Sequence, residues 1–159
     1  MAILMDLRVE SKDWEAIPEL EALCQRALDA GCAGQAPSEN SAEDSHVDVL
    51  LADDATLEAL NTQWRGKPKP TDVLSFPAEA CPGNFLGDIA IAHGVAARDA
   101  KTSGKTLTSH LSHLLIHGLL HLMGHDHIED EDALIMENLE RSALASIGID
   151  DPYSRITRN

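Results

Sequence analysis

The sequence is poor in cysteine and contains no long apolar run. It has three cysteines, Cys24, Cys32 and Cys81, without CxxC spacing, which excludes a disulfide framework and indicates a reducing cytoplasm. Apolar runs extend over only a few residues, so we predict no transmembrane helix and no membrane partner. The opening residues become acidic by Asp6 and lack a basic segment, so no signal peptide is expected.

Positive charge is also scarce, because 12 basic residues stand against 27 acidic ones and the net charge is −15. Such acidity disfavours non-specific binding to nucleic acid, which depends on Lys and Arg. Basic residues nevertheless slightly outnumber acidic ones in residues 61–116, where Arg65, Lys67 and Lys69 lie close together. The acidic excess is interpreted as a solubility feature, while a local basic patch that faces a polyanion remains open.

Composition and periodicity predict a mixed globular fold. Hydrophobic residues make up 43% of the 159 residues, and we expect a single domain spanning 1–159. Apolar and β-branched patterns predict strands at 3–9, 46–52, 73–76 and 86–92. Helical spacing predicts helices at 14–30, ending at Gly31, and at 55–64, 94–100, 107–123 and 130–147. The expected fold is α+β, with a small mixed four-stranded sheet covered by about five helices.

Polar and Pro-containing segments separate these elements. Residues 34–45 are polar and contain Pro and Gly, which predicts a surface loop. Two prolines and a glycine are expected to keep residues 65–71 out of regular structure. Asp53 or Asp54 is expected to cap the helix that begins near residue 55.

Histidine is abundant, and six of the eight histidines lie between residues 110 and 127. His117 and His121 are four residues apart on a predicted helix, so they share one face and can reach one metal ion. Gly124 can end this helix and turn the chain back, which brings His127 into reach as a third nitrogen ligand. The spacing therefore predicts a metal site made of His117, His121 and His127.

The ligand set indicates the kind of metal centre. Three neutral nitrogens with an open fourth position favour one catalytic zinc ion over a structural one, which normally has four protein ligands. Metzincin proteases share the spacing, but they carry a glutamate base where this chain has Gly118. This glycine marks the close approach of either a substrate or a packed neighbour. The pattern predicts a hydrolytic centre and argues against a standard protease.

Three segments together resemble the YbeY family of metal-dependent endoribonucleases: HGLLHLMGHDH (117–127), LNTQWRGKPKPTDVLSFP (60–77) and LGDIAIA (86–92). The similarity extends from about Leu60 to Tyr153, whereas the first 55 residues match only in layout. It implies a single-strand-specific endoribonuclease in the 3′-end maturation of small-subunit ribosomal RNA and in ribosome quality control. The partners it implies are single-stranded rRNA and the ribosome or its small-subunit proteins.

The same resemblance implies roles for individual residues. The zinc ligands of the family carry over to His117, His121 and His127, and its functional arginine carries over to Arg65. His125 departs from the pattern, since many members have tyrosine there. The zinc ion is expected to polarise a phosphate oxygen, to generate hydroxide, or to do both. His117 and Arg65 are therefore the expected catalytic residues.

The basic segment that begins at Arg65 is the expected RNA-binding element. Arg65 would clamp the phosphate and stabilise charge in the transition state, unless it forms a surface salt bridge or anchors the loop. Lys67 and Lys69 follow the RNA backbone in this interpretation and are solvated loop residues in the alternative. Trp64 is expected to be a core residue in so aromatic-poor a chain, with stacking on an unpaired base as the alternative.

Supporting roles and two other functions complete the prediction. Asp126 is expected to orient a ligand imidazole or to cap a turn, and His113 and His125 to support the site or the fold. Asp88 is a weaker candidate for the general base or for a partner contact. The other functions are a different zinc hydrolase, such as a protease or amidase, and a non-catalytic ribosome-assembly factor that uses zinc as a structural staple.

Overall fold

The computed structural model describes residues 3–33, 44–69, 71–78, 85–126 and 128–153. The elements are β1 (Ile3–Val9), a 3-10 helix (Lys12–Ala16), α1 (Leu20–Ala33), β2 (Ser45–Ala52), α2 (Asp54–Arg65), β3 (Val73–Pro77), β4 (Phe85–Ala92), α3 (His93–Thr102), α4 (Leu107–Leu122) and α5 (Asp130–Ser146). This confirms the predicted four strands and five helices of an α+β fold. The predicted loop at 34–45, apart from its last two residues, lies outside the described part of the chain.

The four strands form one mixed sheet in the order β1-β2-β4-β3. β1 pairs with β2 and β2 pairs with β4 in parallel, whereas the edge strand β3 runs antiparallel to β4. Two apolar clusters cover the two faces of this sheet. Val49 and Ile89 pack with residues of α1, α4 and α5, while Ala90 packs with Leu57 of α2. Because neighbouring side chains on a strand point to opposite faces, α2 and α4 lie on opposite faces.

α4 is deeply buried, as its apolar sequence predicts, and nine of its 16 residues are buried. A Cβ atom at Gly118 would lie 3.0 Å from both Ile89 Cγ2 and Ser75 Oγ. Glycine therefore lets α4 approach the sheet closely. Of the two reasons predicted for Gly118, a packed neighbour is the one that the structure shows. No helix in the described ranges is long and apolar enough to span a lipid bilayer.

The N-terminal helix differs from its prediction at both ends. Pro18 follows the 3-10 helix, Glu19 adopts a φ of 53°, and α1 begins only at Leu20. Proline cannot supply the N–H that a continuous helix would need. At the other end α1 continues through Gly31, where a Cβ atom would lie 3.2 Å from Leu119 of α4. This glycine permits helix packing and does not end the helix.

The start of α2 selects one of the two predicted caps. The side chain of Asp53 accepts a hydrogen bond from the Thr56 N–H at 2.9 Å, and this bond lowers the pKa of Asp53. Asp54 instead accepts from the Val95 N–H and from Arg98, each at 2.9 Å. Asp53 therefore caps α2, and Asp54 joins α2 to α3.

Candidate metal centre and basic loop

The C-terminal half of α4 brings two imidazoles together. The ring centroids of His117 and His121 lie 4.6 Å apart, and their Nε2 atoms are separated by 3.1 Å. Both residues are partly buried and face the same side of the helix, as their spacing predicts. The two Nε2 atoms therefore approach a common point.

Glu140 of α5 supports this pair. Its side chain is 1% exposed, and its carboxylate accepts hydrogen bonds from His113, His117 and Tyr153. Burial alone would raise the pKa of Glu140, but these hydrogen bonds outweigh it and lower the pKa to about 2. The carboxylate is therefore ionised at neutral pH and accepts a hydrogen bond from each ring that faces it.

The partners of the two Nδ1 atoms define the state of the rings. Nδ1 of His117 lies 3.0 Å from the Glu140 carboxylate, and Nδ1 of His121 lies 3.0 Å from the backbone oxygen of His125. Both oxygens can only accept, so each Nδ1 carries a proton, and in a neutral ring Nε2 is the nitrogen that keeps a lone pair. Two lone pairs at 3.1 Å repel each other unless a proton or a cation lies between them.

The pair fits a divalent metal ion. Two nitrogens that each lie about 2.0–2.1 Å from a tetrahedral ion are about 3.3 Å apart, close to the 3.1 Å between these Nε2 atoms. An oxygen acceptor on the opposite ring nitrogen is the usual support of a metal-ligating histidine. His117 and His121 thus have the chemistry of metal ligands. His127, the predicted third ligand, lies outside the described residues.

A left-handed turn after α4 supplies one of these acceptors. Gly124 adopts a φ of 99°, and the His125 N–H donates to the Leu120 carbonyl at 3.0 Å, so the chain reverses as predicted. The reversal brings the carbonyl of His125 to the ring of His121. The carboxylate of Asp126 accepts from the Ile128 N–H at 3.2 Å, which is the turn-capping arrangement.

His113 and Tyr153 complete the surroundings of Glu140. Nε2 of His113 faces the Glu140 carboxylate, and the Tyr153 hydroxyl donates to the same oxygen. The His113 and Tyr153 rings meet edge to face with centroids 5.6 Å apart. His113 therefore contacts the metal centre through Glu140 and through its ring, whose centroid lies 6.3 Å from that of His117. The closing DPY segment contributes the hydroxyl that holds this carboxylate.

Glu140 is not among the residues that the sequence predicts for the site. Met136, Glu140 and Ala143 are all buried and follow the i, i+4, i+7 spacing of one helix face. A glutamate in an otherwise apolar stripe was therefore the available signal. Its partner on α4 was not readable from the sequence, because 23 residues separate Glu140 from His117.

Asp88 lies away from the histidines. Its neighbour Ile89 contacts α4 at Gly118, so strand alternation directs Asp88 to the other face of the sheet. Its cross-strand neighbours there are Asp48 and Phe76. Asp88 is exposed, but partial desolvation by its neighbours, followed by repulsion from Asp48, raises its pKa. Asp88 therefore lies on the sheet face opposite α4, and its role as general base or partner contact stays a prediction.

The basic residues form an exposed loop after α2. The helix ends at Arg65, and Gly66 adopts a φ of 68°, which turns the chain away from the helix axis. The Lys67 N–H donates to the Asn61 carbonyl, and the buried Asn61 amide donates to the Lys69 carbonyl at 2.9 Å. These bonds hold the backbone while all three cationic side chains remain exposed.

Trp64 is 63% exposed, so the prediction of a core residue is wrong. It lies in the last turn of α2, outside the small apolar cluster beneath that helix, and its ring is 6.3 Å from Phe76. An exposed indole next to three cations suits contact with an unpaired base. Because α2 and α4 lie on opposite faces, this loop and the histidines flank the edge strand β3 from different sides.

Comparisons with known proteins agree with this fold and motif arrangement. A family model described as Endoribonuclease YbeY matches residues 8–148. Endoribonuclease YbeY of Rhizobium meliloti (strain 1021) is 42% identical over 160 residues, covering 96% of this chain and 95% of the relative. The protein of that name from Paramagnetospirillum magneticum is 46% identical over 147 residues, covering 87% and 88%. The solution structure of TM1509 from Thermotoga maritima matches with a TM-score of 0.56 at 24% identity over 91% of both chains, which supports the fold alone.

Proposed function

Because the chain belongs to the Endoribonuclease YbeY family, we propose that it is a zinc-dependent endoribonuclease that cuts single-stranded RNA. The chain 1–159 acts as one domain in the cytoplasm, in 3′-end maturation of small-subunit rRNA and in ribosome quality control. Its partners are single-stranded rRNA and the ribosome or its small-subunit proteins. The observation that carries the proposal is the approach of the Nε2 atoms of His117 and His121 to 3.1 Å of each other on one face of α4.

One zinc ion is the proposed cofactor, with His117, His121 and His127 as its ligands. When bound, zinc supplies Lewis acidity towards a phosphate oxygen and lowers the pKa of a water molecule. Glu140 and the His125 carbonyl keep the two Nδ1 atoms protonated and the rings fixed. In the proposed centre the two Nε2 atoms are the ligands, and the fixed rings already bring them to one point.

The loop after α2 is the proposed RNA-binding element. The exposed guanidinium of Arg65 pairs with a phosphate through two hydrogen bonds and stabilises the charge that develops during cleavage. Lys67 and Lys69 attract the RNA backbone, and Trp64 stacks on an unpaired base. Asn61 fixes the loop backbone through its bond to the Lys69 carbonyl. RNA that contacts both this loop and the histidines crosses the edge strand β3.

The test compares RNA and protein substrates. Unstructured RNA and casein are incubated with the full chain, with chelator, and after zinc is restored. We expect cleavage of RNA only, lost with chelator and restored by zinc. His117→Ala should lose the catalytic zinc ion and cleavage, while His46→Gln, a histidine on β2, should retain both. Arg65→Ala should retain zinc and lose cleavage.

Each other result has a defined meaning. Full activity in a metal-free His117→Ala variant contradicts the proposed mechanism. Cleavage of casein in place of RNA indicates a protease or amidase. Tightly bound zinc without cleavage of either substrate indicates an assembly factor in which zinc is structural.

A further inference from the structure

A second group of potential metal ligands lies towards the N-terminal end of α4. His110 of α4, Asp99 of α3 and Asp72, which directly precedes β3, place their ligand atoms within 4.8 Å of one another. His110 precedes His117 by seven residues, or about 10 Å along the helix axis. This group is therefore separate from the proposed zinc centre, and its three members belong to different parts of the fold.

The imidazole of His110 is the feature that points to a ligand. Both ring nitrogens are buried, and neither has a hydrogen-bond partner among the residues that the structure describes. Buried polar atoms are nearly always satisfied by protein, water or an ion, so this ring requires a partner from solution. Burial and then His113 and Lys105 lower the pKa of His110, against the opposite effect of Asp72 and Asp99. The ring is therefore neutral at pH 7 and keeps a lone pair.

A second histidine cluster provides a contrast. On β1 and β2, Nε2 of His46 lies 3.3 Å from the Asp48 carboxylate and 3.6 Å from that of Asp6. This imidazole already has carboxylate partners, and nothing in the cluster requires an ion. His110 is close to two carboxylates but bonds to neither of them. The unsatisfied ring, and not the presence of acidic neighbours, distinguishes the group on α4.

We propose that Asp72, Asp99 and His110 together bind one divalent first-row transition metal ion of the zinc type. One imidazole and two carboxylates are a ligand set that such cations accept. The positive charge of Lys105 opposes a cation here, but its Nζ donates to the Pro152 carbonyl at 2.9 Å. The bound ion links α3, α4 and the start of β3, and so fixes the segment that follows the basic loop.

Zinc stoichiometry tests this site directly. The full chain is dialysed against buffered free zinc, and bound zinc is measured by elemental analysis. We expect two equivalents in the unmodified protein and one in Asp99→Asn, in His110→Phe and in His117→Ala. The double variant His117→Ala/Asp99→Asn should bind none, and His46→Gln should still bind two.

Thermal unfolding supplies a readout that is independent of cleavage. Zinc should raise the Tm of His117→Ala but not that of the double variant. Zinc-free His110→Phe should be no less stable than the unmodified protein, because it removes two unsatisfied buried nitrogens. Two equivalents in folded Asp99→Asn, or one equivalent in the unmodified protein that folded Asp99→Asn retains, overturns the second site. One equivalent in the unmodified protein that Asp99→Asn loses and His117→Ala retains, or two equivalents in His117→Ala, instead overturns the proposed catalytic site and leaves the second one intact.

Discussion

The C-terminal half of α4 and the loop after α2 are built in opposite ways. On α4, the Nδ1 atoms of His117 and His121 are each held by an oxygen at 3.0 Å. In the loop at residues 65–69, hydrogen bonds hold the backbone, and the cationic side chains extend into solvent. The fold therefore fixes the proposed metal ligands, whereas it leaves the cationic side chains of the loop unrestrained, and in the proposed function RNA orders them.

The largest effect, on zinc affinity, is expected for Glu140→Gln at the histidines of α4. The amide cannot hold His113 and His117 as an ionised carboxylate does, so zinc affinity should fall about 10- to 100-fold. Tyr153→Phe removes one donor to Glu140 but leaves the bond to His117, so its loss should be smaller. A competition titration against a chromogenic chelator in the Asp99→Asn background measures the catalytic zinc alone.

Unchanged zinc affinity in Glu140→Gln would contradict the claim that fixed hydrogen bonds position the proposed metal ligands, since the ring of His117 would then need no support. An equal loss in Tyr153→Phe would show that the whole network, and not the carboxylate, controls the site.

A smaller effect is expected in the loop, for Trp64→Ala. Loss of stacking on one face of an exposed ring should weaken binding of single-stranded RNA by about 1 kcal/mol, or about fivefold. Zinc content should not change, and Trp64→Phe should recover part of the affinity. RNA binding measured by fluorescence anisotropy checks this result. An unfolded Trp64→Ala variant, or unchanged RNA affinity, would show that the ring serves the fold.

The smallest effect is expected for Lys67→Ala and Lys69→Ala. Each change removes one phosphate contact, so the slope of log affinity against log salt should fall by about 0.7 for single-stranded RNA. Cleavage at saturating RNA should be nearly unchanged, because neither lysine touches the reacting bond. Lys101→Ala, a lysine at the end of α3, is the matched control. A salt slope equal to that of the unmodified protein would contradict the assignment of these lysines.

The local part of the metal centre could be predicted from the sequence. Helix geometry alone places His117 and His121 on one face, and Gly124 has the left-handed φ of 99° that the turn requires. The contribution of Glu140 could not be predicted, because it depends on how α5 packs against α4. The role of Gly118 could not be predicted either, because it depends on the contact of α4 with Ile89 and Ser75 of the sheet.

The errors in the fold prediction have a similar origin. Apolar spacing continues across Pro18, so periodicity alone extended the first helix over a break in the backbone. Gly31 resembles a helix end in sequence, but tertiary contact with Leu119 explains it. Trp64 was assigned to the core by composition, although its place beyond the small apolar cluster leaves it exposed. Local signals identified the elements, and packing between elements decided the rest.

The most direct test of the metal centre is the response of the histidine ring nitrogens to zinc. Long-range proton–nitrogen correlation spectra of the histidine-labelled protein are recorded during a zinc titration in the Asp99→Asn background. We predict that His117 and His121 both carry their proton on Nδ1 before zinc is added, and that both Nε2 signals shift together at one saturating equivalent. A shift at only one of the two rings, or a shift at Nδ1, would contradict a shared cation.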